Sequence, residues 1–255
     1  MENREFYIDH DGLKLHAKLD FPAKAPEKMP LLVLEHGLTG HMEERHIRAV
    51  AQAANEIGFA VLRIELYGHG QSGGEFKDHT IMKWVDEMLT VIDYAASLDF
   101  VSALYLAGHS QGGLTAILVA GMEGDRLKGL LPLAPAIVIC DAARTGVMFD
   151  SIRFDPEKVP DELVFSPEKS IRGNYFRVAR TLPVDEAIRA YKGPVLIVHA
   201  DTDEAVPVSY AFDAAEKYDN CELKIIADDT HCYDNKLDEV TAAVKRFLMK
   251  CEKRS

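Results

Sequence analysis

Six segments of this chain are apolar runs of strand length: LLVLEH (31–36), AVLRIEL (60–66), ALYLAG (103–108), KGLLPLAP (128–135), PVLIVHA (194–200) and ELKIIAD (222–228). A strand with one face in water alternates apolar and polar residues, so runs like these belong to strands covered on both faces. Segments with helical spacing stand between most of them, around 44–57, 80–97, after Ser110, near 208–218 and near 237–252. The first is closed by Gly58 in a C-terminal capping position. Strand and helix in alternation build an α/β fold, a mostly parallel central sheet with helices on both faces. Ahead of it, EFYIDH and LKLHAKLDF do alternate, as an antiparallel hairpin does.

One interval breaks this rhythm. From Ala136 to Ile188 the chain is rich in Pro, Asp, Glu and Arg, includes FDPEKVPDELVFSPEKS, and offers no long apolar strand. A disordered linker would have that polarity. Its two ends, however, join consecutive sheet strands, and it carries Phe149, Phe154, Phe165, Tyr175 and Phe176. Long excursions within compact domains tend to be functional lids. The expectation is one domain over 1–255, with 136–188 inserted as a cap.

Composition narrows the function. The chain has 255 residues, 47% hydrophobic and 27% charged, with a formal net charge of −12, which argues against binding nucleic acid or anionic membrane through a basic surface. The start, MENREFYIDHDGLKLHAKLDFP, has no apolar stretch of signal-peptide length, and no later segment is long enough to span a bilayer; a cytoplasmic protein is expected. Cys140, Cys221, Cys232 and Cys251 form no CxxC pair, so reduced thiols are expected and neither a disulfide nor a zinc site. No His, Cys or carboxylate cluster has metal-ligand spacing, and no metal or other cofactor is implied.

Chemistry gathers around GHSQG (108–112). The spacing G-x-S-x-G between a strand and a helix fits a tight turn that pushes the Ser110 hydroxyl outward. Ser110 could equally cap an ordinary helix, so the reading depends on partners. A serine hydroxyl needs a base to take its proton and a carboxylate to orient that base. The strand at 194–200 delivers HADTDEAVP, and the strand at 222–228 delivers DDTHCYDN. Ligand-facing loops of an open parallel sheet lie at such strand ends. His231 is then the base. Asp203 and Asp201 compete for the acid, and Asp203, followed by Val206 and Pro207, is preferred because that placement is usual in the α/β-hydrolase fold. Singly, each residue has a bland reading as a turn former or surface histidine. All three at successive strand ends, in the order Ser, acid, His of the α/β-hydrolases, make coincidence a poor account. A Cys232–His231 nucleophile is the other arrangement, but sequence neighbours seldom point at each other. The oxyanion donors would be the backbone N–H groups of Gln111, directly after Ser110, and of Leu38 in HGLTG (36–40). YGHGQSGGEF (67–76) is glycine-rich but lacks the GxxxxGK[ST] phosphate loop.

With HGLTGH, LYGHGQSGG, GHSQGG, PLAPA, HADTDEAVP and ADDTHC, the chain resembles the α/β-hydrolase superfamily, and within it the bacterial cinnamoyl and feruloyl esterases. The resemblance covers nearly the whole chain, including VPDELVF and RGNYFRVARTLP of the interval, which are its more specific part. It implies that an aspartate and a tyrosine of the cap hold the ring hydroxyl of a phenolic acid, matching Asp141 in ICDAARTG and Tyr175 in RGNYFRVA. Two positions depart: Leu38, where these esterases often carry phenylalanine, and Met148, where related enzymes can place a polar side chain.

The function expected is therefore a serine carboxylesterase for hydroxycinnamic esters. The partners expected are a small-molecule ester with an aromatic acyl group, no nucleic acid, no membrane, and a second copy of the chain as a homodimer. A broad acyl esterase, acylglycerol lipase or thioesterase would use the same triad. A hydrolase-fold ligand-binding protein is the rival from another class.

Overall fold

The computed structural model describes residues 2–148, 152–167 and 169–253. Phe149 lies outside them, as does the side chain of Phe165. The chain runs β1 (Arg4–His10), β2 (Leu13–Asp20), β3 (Met29–Glu35), α1 (Arg45–Glu56), β4 (Ala60–Ile64), α2 (Ile81–Ala96), β5 (Val101–His109), α3 (Gln111–Glu123) and β6 (Leu127–Leu133). It continues through α4 (Val138–Thr145), β7 (Val147–Met148), β8 (Ile152–Arg153), β9 (Glu162–Ser166), β10 (Lys169–Arg172), α5 (Asn174–Ala179) and α6 (Val184–Ala190). β11 (Val195–Ala200), α7 (Ser209–Lys217), β12 (Cys221–Ile226) and α8 (Leu237–Lys253) complete it.

Eight strands form one sheet in the order β1-β2-β4-β3-β5-β6-β11-β12. β1 pairs antiparallel with β2, and β2 with β4; every other pairing in this sheet is parallel. The mostly parallel sheet expected from the apolar runs is therefore borne out. Its physical basis is visible within single strands. On β3, Leu31 and Val33 enter one core with Leu62, Trp84, Leu106 and Ile117, while Leu32 and Leu34 enter the other with Val50, Val61, Ala107 and Phe247. Successive side chains point to opposite faces, so a strand such as β3, which feeds two cores, is apolar almost throughout, with buried Glu35 at its end the exception. The edge strand β1 has one such face and alternates.

The segment between β6 and β11 does fold. α4 is followed by two small antiparallel pairs, β7 with β8 and β9 with β10, and then by α5. Phe154, Tyr175 and Phe176 pack within the larger core. Its last helix, α6, belongs to the layer on the sheet: a Cβ on Gly121 of α3 would lie 2.6 Å from Cα of Ala187, so these two helices touch backbone to backbone.

Candidate active site

β5 ends at His109 and α3 begins at Gln111, leaving Ser110 alone to make the turn. Ser110 takes φ 57° and ψ −118°, a conformation that L-residues adopt only when their surroundings force it. Here the N–H of Ser110 donates to the carbonyl of Leu133 at 2.9 Å, and its own carbonyl accepts from Leu114 (3.1 Å) and Ala136 (2.9 Å). Small residues flank it because backbone is in the way. A Cβ on Gly108 would sit 2.3 Å from the carbonyl oxygen of Gly112, and one on Gly112 would sit 2.4 Å from that of His36. Neither distance is survivable without moving main chain.

The same proximity brings in the loop after β3. A Cβ on Gly37 would lie 3.0 Å from Cβ of Ser110, so the loop bearing Leu38 rests on the elbow. Gln111 is the first residue of α3, where an N–H has no partner within the helix. The side chain of Gln111 is buried, and its Oε1 accepts the Tyr175 hydroxyl at 2.7 Å. Two imidazoles stitch the Leu38 loop to the glycine-rich loop after β4. His36 bonds to the Gly37 carbonyl through Nδ1 (2.7 Å) and accepts the Leu66 N–H at Nε2 (3.3 Å). His69 bonds to the Tyr67 carbonyl through Nδ1 (2.9 Å) and accepts the Thr39 N–H at Nε2 (3.2 Å). Each ring needs one nitrogen bare to accept, and burial keeps it so, lowering His36 to about 4 and His69 to about 2.

On the other side, Nδ1 of His231 donates to Oδ2 of Asp203 at 2.7 Å. The Asp203 side chain is fully buried; its Oδ1 accepts the N–H groups of Ala205 and Val206, both at 2.8 Å. Burial alone would raise this carboxyl, but His199 and His231 beside it and the Val206 N–H hold it well below the usual carboxylate range. Asp201, the other candidate, is exposed and accepts the Asp228 N–H at 2.7 Å, which fastens the acid loop to the loop after β12. The backbone of His231 is also held: its N–H donates to Glu204 Oε2 (3.1 Å), and its carbonyl accepts from Nε2 of His109 (2.9 Å), the residue before Ser110. The rings of His109 and His231 lie with centroids 4.7 Å apart.

A residue that pattern reasoning missed anchors the histidine loop. Asp229 is fully buried and accepts three backbone N–H groups, from Thr230 (2.8 Å), Asn235 (2.9 Å) and Lys236 (2.9 Å). Cys232 has the environment of an inert thiol: burial and the nearby Glu44, Asp234, Glu204 and Asp203 push it up to about 11.

Asp141 and Tyr175 occupy different surroundings. Tyr175 is fully buried, with its hydroxyl committed to Gln111. Asp141, on α4, is half exposed; it accepts from Arg144 (3.0 Å) and from the Tyr210 hydroxyl (2.8 Å), beside a cavity of about 470 Å³ between α4, α6 and α7. A second cavity of about 300 Å³ lies between α4, Met148 and the acid loop at Glu204 and Ala205. Met148 gives this second cavity an apolar wall. No helix among the described residues is long and apolar enough to cross a membrane.

Residues 26–235 match the profile of the Hydrolase_4 family, described as serine aminopeptidase, S33. Est1E from Butyrivibrio proteoclasticus with ferulic acid bound superposes with a TM-score of 0.95 at 52% identity, over 97% of this chain and 99% of that one. A second structure of Est1E gives 0.92 at 49% identity, over 98% and 99%. A monoacylglycerol lipase of Mycolicibacterium smegmatis is 23% identical over 205 residues, 70% of this chain and 72% of that protein.

Proposed function

This chain belongs to the Hydrolase_4 family of serine hydrolases, and from that premise we propose that it cleaves esters of hydroxycinnamic acids through an acyl-enzyme on Ser110. Carboxylic ester hydrolysis is the reaction class, and the likeness to Est1E over nearly the whole chain, in a structure holding ferulic acid, is the observation that carries the substrate class. The relative named as a monoacylglycerol lipase supports an acylglycerol reading far more weakly, at 23% identity.

In this reading the Ser110 hydroxyl attacks the ester carbonyl while Nε2 of His231 takes its proton. The Nδ1–H of His231 stays on Asp203, which fixes the tautomer and stabilises the imidazolium. The tetrahedral oxyanion is held by the N–H groups of Gln111 and Leu38. Collapse expels the alcohol with the proton from His231, and a water activated by the same nitrogen releases the acid. We assign Asp141 to the aromatic acyl group; Tyr175, expected there too, has its buried hydroxyl on Gln111 and is not assigned to the ring. For Asp141 the support is the likeness to Est1E, since the cavity beside it is lined by none of Ser110, Leu38, Gln111 and His231. A contact from Tyr175 to a ring hydroxyl would require its bond to Gln111 to be exchanged.

The deciding measurement is kcat/KM for methyl ferulate against butyrate and long-chain p-nitrophenyl esters. Preference for the ferulate ester is expected; a preference for long aliphatic chains favours the acylglycerol reading. Ser110→Ala should abolish both turnover and labelling by a fluorophosphonate, and label persisting elsewhere overturns the assignment of the nucleophile.

A further inference from the structure

His46 of α1, His109 before the elbow and Cys232 after His231 each present one ligand atom, all within 4.8 Å of one another. Nothing in the ester mechanism uses the His46 ring or the Cys232 thiol. The His46 side chain is 4% exposed, and its Nε2 is buried with no hydrogen-bond partner among the described residues. A buried nitrogen left without a partner is destabilising unless something takes its lone pair. Oε2 of Glu44 stands 4.0 Å from Nε2 of His46, where a fourth ligand would be needed. The carboxylates of Glu44, Asp234, Glu204 and Asp203 lie around Cys232, and their negative charge favours a cation in that place.

We propose that His46, His109 and Cys232 bind a thiophilic divalent cation of the zinc type, and that its binding reversibly switches off hydrolysis by displacing the loop that carries His231. Two imidazole nitrogens and one thiolate are a donor set that suits zinc, with Glu44 or water in the fourth position. On binding, the Cys232 S–H gives its proton to water, the thiolate and the two imidazoles donate lone pairs to the metal, and no electron is transferred. With Zn–N near 2.0–2.1 Å and Zn–S near 2.3 Å, tetrahedral ligand atoms sit roughly 3.3–3.6 Å apart. The cluster spans up to 4.8 Å and must close on the ion. Closure pulls on Cys232, the neighbour of His231, and on His109, which donates to the His231 carbonyl. The His231–Asp203 pair cannot stay in place while both move.

The inhibitory half rests on His231 being the base; the binding half does not. The reduced full-length protein is titrated with ZnCl2 by calorimetry and by esterase assay, and with Co2+ by absorbance. One zinc per chain, inhibition reversed by EDTA, and a thiolate-to-cobalt charge-transfer band in the near ultraviolet are expected. Cys232→Ser should hydrolyse ester normally without metal, lose the band, and need at least about ten-fold more zinc for inhibition; His46→Gln should show the same loss of zinc sensitivity. Unchanged zinc sensitivity in both variants, or cobalt binding without the band, overturns the site. One-to-one binding with full turnover retained overturns the coupling. A protein inactive on every ester would fail as an esterase, and the cobalt spectrum would still decide the site.

Discussion

The imidazole of His231 and the carboxylate of Asp203 meet at 2.7 Å, and the second oxygen of that carboxylate is already taken by the N–H groups of Ala205 and Val206. Asp203 therefore cannot swing away, and the ring it orients cannot rotate without breaking a bond to a buried charge. Asp201, two residues earlier, accepts the Asp228 N–H and so fastens two loops. Asp203→Asn should lower kcat by roughly 10³–10⁴-fold, because an amide presents an N–H where an acceptor is needed and favours the wrong tautomer. Asp201→Asn should stay within a few-fold. Steady-state kinetics on one ester decides it, and the reverse order of damage would move the acid to Asp201.

Ser110 holds φ 57° and ψ −118°, outside the regions an L-residue favours. Such conformations cost a non-glycine residue about 1–3 kcal/mol. Ser110→Gly should therefore raise the unfolding free energy by about 1 kcal/mol or more while eliminating turnover, whereas Ser110→Ala, which keeps the Cβ, should leave stability nearly unchanged. Urea unfolding of the three proteins tests this. Equal stability of the glycine and alanine variants would mean the turn is not strained.

The parts readable in the sequence are those that a strand end defines locally. Doubly buried strands announce themselves as apolar runs, and Ser110, Asp203 and His231 follow such runs. What stays hidden depends on strand order. β3 and β5 are neighbours in the sheet but far apart in the chain, so only the fold shows why Gly112 must clear the carbonyl of His36. The positions of His36 and His69 early in the chain exclude them as the base without revealing that their bare nitrogens tie two loops together. Tyr175 meets Gln111 across 64 positions, and His46, His109 and Cys232 converge from three distant segments with no spacing to betray them. Asp229 looks like one acid among several in ADDTHCYDN until its three backbone donors are counted.

Tyr175 and Asp141 should separate in mutation. Tyr175→Phe leaves Oε1 of Gln111 buried without its donor, in the residue proposed to supply an oxyanion N–H. Losing such a partner costs about 1–3 kcal/mol, so kcat/KM should fall about ten-fold on ferulate and small aliphatic esters alike. Asp141→Ala should fall about ten-fold or more on ferulate or caffeate esters only, since a short acyl group does not extend to α4. A Tyr175→Phe loss confined to aromatic esters would mean that the hydroxyl leaves Gln111 to meet substrate. An equal loss from Asp141→Ala on both substrates would give the aspartate a folding role through Tyr210 and Arg144.

The glycine-rich loop after β4 carries a pH dependence of its own. Glu87 of α2 is buried beneath it and accepts the Tyr67 N–H at 2.9 Å. Burial pushes this carboxyl from an ordinary value of 4.5 up to about 8, against the pull of the Tyr67 bond and of Lys83. The folded protein therefore keeps a proton that the unfolded chain has lost between those two values. Stability rises with pH only where the unfolded state binds more protons, so here it falls: the contribution is whole below about pH 4.5 and is lost progressively towards pH 8. Each pH unit of that window is worth about 1.4 kcal/mol at most, a few kcal/mol in all. Glu87→Gln keeps a neutral oxygen to accept from Tyr67 and has no proton to lose. Relative to the parent, it should therefore lose a few kcal/mol less between pH 5 and pH 8, measured by urea unfolding at both values. Parallel pH profiles for the two proteins would mean that Glu87 ionises freely where it sits, and that the loop above it opens to water.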